Sequence, residues 1–290
     1  MSAVSRLLPS TCRSPGGWTV ERRGCVESTQ ALARGRPAWS AVTAAEQTAG
    51  RGQATRSFVS DPGGLYITAV LPYSGDASET RGFALAVGWA LREALRERGV
   101  RRLRLRWPND LMIGARKVGG ILVEQGGPDT LLVGVGLNVT NRPWIVDTEL
   151  AGVAGRLADA LEGGVVLESE QLTASVLEAI RRAHDTFGKL RLAGFASRLN
   201  RCWGRSREVV LDPAGGVLLG EQRGLFRGID AEGRVRIELA SGEIEAIPAH
   251  RIGRLRETGM VRPARRLGGD AAVFPPKIAA ALLGVCVGRE

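Results

Sequence analysis

Lysine is almost missing from this chain of 290 residues. Lys and Arg together number 40, yet lysine stands only at Lys117, Lys189 and Lys277. Where charge alone matters such a chain uses arginine, so a retained ammonium marks a place that calls for a compact point charge. Histidine is scarcer still: His184 and His250 leave few candidate bases for a Ser-His-Asp hydrolase. Cys12, Cys25, Cys202 and Cys286 are widely scattered. Without a C-x-x-C pair or a histidine cluster, neither a disulfide framework nor a zinc site is expected, and a reducing, cytoplasmic setting is the default. No run approaches the roughly 18 apolar residues that a membrane span needs, and residues 1–24 lack the apolar centre of a signal peptide. Aromatic content is only 5%, little for a surface that stacks on nucleic-acid bases.

What the chain does contain is globular: 44% hydrophobic and 24% charged residues, long enough for one large domain or two smaller ones. Its net charge of +10 suits phosphate-bearing partners, whether nucleotide or nucleic acid, and equally a carrier protein with an acidic surface. Residues 1–24 read as an irregular extension. Ser28 or Thr29 is a helix N-cap ahead of the apolar Ala31-Leu32-Ala33. A buried strand over Trp39 to Ala45 delivers the glycine-punctuated loop Gly50-Arg51-Gly52-Gln53-Ala54-Thr55-Arg56. Backbone N–H groups and guanidinium forks in such a loop can converge on a phosphate, although a solvated loop would look the same. Leu65 to Leu71 is a continuously apolar strand, and Phe83, Val87, Leu91 and Leu95 recur every four residues along a helix expected from Glu79 to Arg98.

The stretch Arg106 to Glu124, RWPNDLMIGARKVGGILVE, carries the chemistry. A strand with Leu103 and Leu105 breaks at Trp107-Pro108-Asn109-Asp110, since Pro108 cannot donate to a sheet ladder. Leu111 to Ile113 resume it, Gly114-Ala115 form a tight turn, and Arg116-Lys117 open the return strand. That hairpin brings Lys117 back beside Asp110. Between them an anion could lie, with Gly119-Gly120 admitting it close to the backbone. A plain surface salt bridge is the alternative. Leu131 to Val139 is an apolar strand with Gly134 and Gly136 at alternate positions, as for a ligand or another backbone at close range. Leu172, Val176, Ile180 and Phe187 mark one further helix and Phe195, Leu199 and Trp203 a shorter one. From Gly204 to Arg254 short runs separated by Asp212-Pro213, Glu232-Gly233 and Ser241-Gly242 have the rhythm of a small β-barrel.

W-P-N-D-L at 107–111, followed by R-K-x-x-G-I-L-V-E at 116–124, resembles the central signature of biotin protein ligases. The resemblance covers roughly residues 25 to 255. It implies an α+β fold: a mixed-sheet, class II synthetase-like catalytic domain over 25–203, then an SH3-like barrel over 204–256 and a tail over 257–290. The space ahead of the first motif has no room for the three helices of a DNA-binding repressor domain, so specific DNA binding is not expected.

The same resemblance assigns roles. Ser28-Thr29-Gln30 stands where the family has S-T-N against the polar ring of biotin, with Gln30 replacing Asn. Glu46 to Arg56 resembles the E-x-Q-x-x-G-R-G-R-x-G-R loop, in which Gln47 matches the residue that meets biotin. Gln53 replaces an arginine of that loop and Thr55 a glycine. Arg51, Gly52, Gln53, Lys117, Gly119 and Gly120 complete the expected biotin site. Arg51, Arg56, Trp107, Asn109, Lys117 and Asn138 are expected around ATP and the adenylate. Lys117, Arg51, Arg56 and Asp110 are the expected catalytic groups, with Mg²⁺ on Asp110. The implied reaction activates biotin with ATP as biotinyl-AMP and passes it to a lysine of a biotin carboxyl carrier protein; a homodimer is compatible. A lipoate ligase of the same fold is the enzymatic rival, though no R-R-x-S-G-G-G stretch is present. A basic nucleic-acid-binding module and an inactive scaffold are the non-enzymatic ones.

Overall fold

The apolar runs and turn signals resolve into two sheets. The computed structural model describes residues 10–14, 16–53, 56–75, 80–163, 165–203, 207–214 and 221–260. In chain order the elements of the first part are β1 (Ser10–Ser14), β2 (Trp18–Val26), α1 (Thr29–Ala33), β3 (Ser40–Gln47), β4 (Leu65–Pro72) and α2 (Phe83–Glu97). They continue with β5 (Leu103–Arg106), β6 (Asp110–Ile113), β7 (Arg116–Gly127), β8 (Thr130–Leu137), α3 (Pro143–Val146) and α4 (Ser169–Trp203). The eight strands form one sheet in the order β1-β2-β3-β4-β8-β7-β6-β5. It is mixed because β2 and β3 run parallel while the other pairs are antiparallel.

Strand alternation decides what each face does. Leu105, Leu111, Ile121, Val133, Val135 and Leu137 point to one face and join the main core with α2 and α4. The expected stripe Phe83, Val87, Leu91 and Leu95 is fully buried there, each side chain contributing about 1.5–3 kcal/mol of transfer free energy. The opposite face is covered only in part, by α1 over Val42, Val70 and Leu132, and it holds the polar groups described below. Helix α4 is interrupted at Arg191, whose φ of 51° is not helical; the two helices read from the sequence are its two halves.

The expectation of an irregular extension over 1–24 needs correction within the described residues. Ser10–Ser14 and Trp18–Val26 are a hairpin joined at Gly16-Gly17, both at positive φ. Glycine serves such a turn without a steric penalty. Trp18 is fully buried, and the Arg181 guanidinium of α4 lies 3.8 Å from the Trp39 ring and 5.2 Å from the Trp18 ring. A cation stacked on two indoles ties these strands to the helix layer. The flanking charges Glu21, Arg22 and Arg23 hide the apolar alternation from a reading by pattern.

Beyond α4 come β9 (Arg207–Pro213), β10 (Gln222–Ile229), β11 (Val235–Glu238), β12 (Ile244–Ile247) and β13 (Ile252–Met260). They make a small antiparallel sheet in the order β12-β11-β10-β9-β13, in which no pairing between β12 and β13 closes a barrel among the described residues. The expected boundary near Arg256 falls inside β13, so Glu257 is part of the sheet and not of a tail. The stretch 215–220 of the expected barrel, the helix start at Glu79 and the tail from 261 onward lie outside the described residues. The described residues belong to one compact unit that ends at Met260. Trp203 links its two sheets, donating from Nε1 to the Leu105 carbonyl at 3.0 Å and packing edge-on to Phe226.

Candidate active site

The hairpin β6–β7 is irregular at one point, and that irregularity builds the site. Leu111 pairs with Gly119 but Met112 pairs with Lys117, so Val118 is an extra residue on β7. In a regular strand residues three apart face opposite ways; a bulge reverses this. Lys117 and Gly120 therefore share the face of Asp110, which pairs with Gly120. Lys117 Nζ lies 2.6 Å from Asp110 Oδ1, as the hairpin reading expects, and 3.3 Å from where a Cβ on Gly120 would stand. The lysine's backbone is clamped as well. Its N–H donates to Val153 O and its carbonyl accepts from Gly155 N, both at 2.8 Å.

Asp110 has a second cation. Arg106, its partner across β5–β6, donates to Oδ2 from Nη2 at 2.6 Å and from Nε at 3.1 Å. Burial by itself would raise the Asp110 carboxyl, but Lys117 and Arg106 outweigh it and hold the group below the usual carboxylate range. Sequence reasoning passed over Arg106, although Leu103 and Leu105 alternate with Arg104 and Arg106 and so place both arginines on one face. This arrangement does not fit the expectation of Mg²⁺ on Asp110. Both carboxylate oxygens are engaged by cations, and the described residues contain no group of three His, Cys, Asp or Glu that could hold a metal. A dication placed there would face two positive charges in place of water or carboxylate ligands.

Across the sheet from Gly120 lies Gly136, which in turn faces Tyr66 on β4. The two glycines leave a shallow trough, and Phe58 fills it: a Cβ on Gly136 would meet the Phe58 ring at 2.8 Å. Lys117 Nζ stands 5.8 Å from the same ring's centroid. Gly119 looks the other way, into the core, where a Cβ would meet Gly136 O and Leu137 at 2.7 Å. Of the two expected ligand-facing glycines, only Gly120 fronts the trough.

The polar wall is a chain of hydrogen bonds running from α1 to the loop that carries Phe58. Thr29 donates to Gln47 Oε1 from its backbone N at 2.8 Å and from Oγ1 at 3.0 Å. Gln47 Nε2 donates to Ser60 Oγ at 2.8 Å, and that hydroxyl donates to Phe58 O at 2.9 Å. Thr68 Oγ1 is 3.0 Å from both Thr29 Oγ1 and Gln30 Oε1. Ser28 caps α1 through a bond from Ala31 N at 3.5 Å. Gln30 reaches across Gly134, where a Cβ would come within 2.6 Å of its Oε1, and its Nε2 donates to Glu124 at 3.3 Å. Ser28, Thr29 and Gln30 are all buried. Thr68, Ser60 and Phe58 are members of this wall that the sequence reading did not single out; Thr68 could have been found from its alternation with Tyr66 on β4.

The loop between Gly50 and Ser60 is pinned by hydrogen bonds among its described residues. Phe58 N donates to Gly50 O at 2.8 Å, Gly52 N to Arg56 O at 2.7 Å, and Arg56 N and Nε both to Gln53 O. Arg51 and Arg56 are exposed, and the Arg56 side chain bonds within its own loop and not to Asp110. Thr55 lies outside the described residues. Trp107 is buried in the main core. Asn109 donates from Nδ2 to Ile121 O at 2.6 Å while its carbonyl accepts from Ile121 N at 3.0 Å. Asn138 is buried and donates to Gly155 O at 3.0 Å, fastening the segment that clamps Lys117. Below it Asn141 bonds Asp61 Oδ1 at 2.7 Å, and Tyr66 OH donates to Asp61 O at 2.7 Å. Burial, then Asp61 and Glu46, push that phenol up, so it stays a neutral donor.

Comparison with known proteins gives this geometry its context. Residues 25–138 match the biotin/lipoate A/B protein ligase family. The bifunctional ligase/repressor BirA of Escherichia coli is 30% identical over 205 residues, covering 68% of this chain and 61% of that protein. The matched stretch thus spans less than two thirds of that relative. The biotin–[acetyl-CoA-carboxylase] ligase of Paracoccus denitrificans is 29% identical over 221 residues, 73% of this chain and 88% of its own length. In structure, a biotin protein ligase from Aquifex aeolicus in complex with biotin and ATP superposes with a TM-score of 0.69 at 26% identity, covering 82% of this chain and 99% of that one. Residues 25–138 thus form a biotin/lipoate A/B protein ligase domain, and the chain is homologous to BirA and to biotin–[acetyl-CoA-carboxylase] ligase.

Proposed function

We propose that this protein activates biotin with ATP as biotinyl-AMP and transfers the biotinyl group to a lysine of a biotin carboxyl carrier protein, such as that of an acetyl-CoA carboxylase. The observation that carries the reading is the Lys117 ammonium, set over Gly120 by the β7 bulge, held by Asp110 and standing 5.8 Å from the Phe58 ring. In the first half-reaction the biotin carboxylate attacks the α-phosphorus of ATP and pyrophosphate leaves. Two anions must meet, so the protein's task is to cancel charge and hold the attack in line. Lys117 offsets the approaching carboxylate and phosphate. Asp110 and Arg106 fix where its ammonium points. Arg51 and Arg56, both exposed on the loop, supply guanidinium forks to the phosphates when a nucleotide is bound. Ser28, Thr29, Gln30 and Gln47 line the vitamin's polar end, while Phe58, Gly120 and Gly136 provide its apolar wall. Asn109 and Asn138 act through the backbone they hold. In the second half-reaction the carrier's amine attacks the mixed anhydride and AMP leaves, with the loop excluding water from the intermediate.

The C-terminal sheet is read as an SH3-like barrel, and the reading carries a cytoplasmic setting with it. No helix among the described residues is long and apolar enough to cross a membrane. Incubation with the magnesium salt of ATP and either biotin or lipoate tests the proposal, with pyrophosphate release and labelling of a carrier domain as readouts. Biotin-dependent release that Lys117→Ala abolishes while the fold stays intact is the expected result. Release with lipoate alone, or no acyl-adenylate with either acid, overturns it.

A further inference from the structure

The two arginines of β5 share one face, yet they serve different partners. Arg106 holds Asp110. Arg104 turns the other way and grips two things at once. Its Nε and Nη2 donate to the Gly114 carbonyl at 3.1 and 2.7 Å, and its Nη1 and Nη2 donate to the two oxygens of Glu257 at 2.8 and 2.6 Å. Gly114 is the turn residue of the β6–β7 hairpin, at φ 59°, and Glu257 belongs to β13 of the C-terminal sheet. The pair is largely shielded, with side-chain exposures of 16% and 15%, and Arg207 of β9 stands 3.7 Å from the same carboxylate.

Packing alone does little for this turn. Gly114, Ala115 and Arg116 are all exposed, and a Cβ on Gly114 would meet nothing within 4 Å. Its position is set by hydrogen bonds, and Arg104 supplies two of them from a planar fork that Glu257 orients from behind. Three residues farther along β7 sits Lys117, whose ammonium placement depends on the register of the same hairpin. Without Glu257, Arg104 would also be free to swing along β5 toward Asp110 and compete with Lys117 for it.

We propose that Arg104 is a positioning residue through which Glu257 of the C-terminal sheet sets the register and rigidity of the hairpin that carries Lys117. The proposal rests on the adenylate-forming reading for its catalytic consequence, but its mechanical part stands apart from that reading. The C-terminal sheet is thereby a structural determinant of the first half-reaction, and not only a neighbour of the site.

The test uses the full chain with three variants: Glu257→Gln, which keeps shape and removes charge; Arg104→Lys, which keeps charge but loses the fork; and Arg256→Ala. The last breaks the Arg256–Asp212 pair within the C-terminal sheet alone, so it controls for general loosening. Amide hydrogen exchange over residues 112–118 of the ligand-free protein is read first. Exchange there should quicken in Glu257→Gln and Arg104→Lys but not in Arg256→Ala. The rate of biotin-dependent pyrophosphate release should then fall about tenfold in the first two, with biotin affinity unchanged. Unchanged hairpin exchange in both variants overturns the proposal, as does exchange that quickens with no loss of rate in a wild-type background that makes adenylate. If exchange quickens and even wild type makes no adenylate, the mechanical coupling holds and the functional reading is what fails.

Discussion

Asp110 is the residue on which the site's electrostatics turn. It lies between Lys117 and Arg106, with 13% of its side chain exposed. Its folded-state carboxyl is held below the ordinary range, since the two cations outweigh burial. The stabilisation is therefore complete above the unfolded carboxylate value and drains away as pH falls through the folded one. Asp110→Asn leaves two cations without their countercharge. It should lower the unfolding free energy by about 3 kcal/mol at neutral pH, and the gap from wild type should narrow below about pH 4. Urea melts at both pH values check this; a gap that stays constant in acid would show that the pair contributes nothing through its charge. Adenylate formation should drop as well, because an amide cannot hold the ammonium in place. The scarcity of lysine pointed at Lys117, and the hairpin spacing pointed at Asp110. Arg106 needed the cross-strand pairing to be seen.

At the scale of elements, the loop from Gly50 to Ser60 and the bulged hairpin β6–β7 make up the working parts. The loop is fixed by the Gln47–Ser60–Phe58 bonds and by Arg56 folding back onto the Gln53 carbonyl. Where the family's loop has an arginine, Gln53 offers no cation to an anionic intermediate. On the proposed function, this protein is accordingly expected to release biotinyl-AMP faster than a Gln53→Arg variant, by about tenfold if one charge-assisted bond is gained. Trapping the free intermediate after a single turnover measures it, and equal release by the two proteins would remove the idea. The loop was legible as a motif, but its contact with the sheet was not. That Phe58 fills the trough left by Gly120 and Gly136 depends on three segments meeting, and no spacing along the chain encodes it. The bulge is similar: a strict two-residue period puts Lys117 with Gly119, and only the paired strand β6 reveals that Lys117 shares its face with Gly120.

For the whole molecule, the net charge of +10 bears on encounter more than on chemistry. On the proposed function, a basic protein acting on a carrier with an acidic surface should be steered to it over distances comparable to the Debye length. Raising salt from about 50 to 500 mM should slow carrier labelling several-fold while leaving adenylate formation nearly unchanged. Labelling that ignores salt would mean that charge plays no part in docking, and gel shifts that persist at physiological salt would point the charge toward nucleic acid instead.

The sequence by itself determined the inner strands, the α2 stripe, the hairpin around Trp107-Pro108 and the resemblance to biotin protein ligases, because each rests on local pattern: alternation, a four-residue repeat, a turn residue that cannot donate, a contiguous motif. Tertiary structure alone decided the rest. It drew residues 10–26 into the sheet by burying Trp18 under Arg181. It turned Asn109 and Asn138 toward the backbone and surrounded Asp110 with cations where a metal had been expected. It also brought Glu257 to Arg104. Each of these outcomes turns on which charged or polar group finds a partner across many residues, and pairing energy of that kind depends on distance and burial that a linear sequence does not carry.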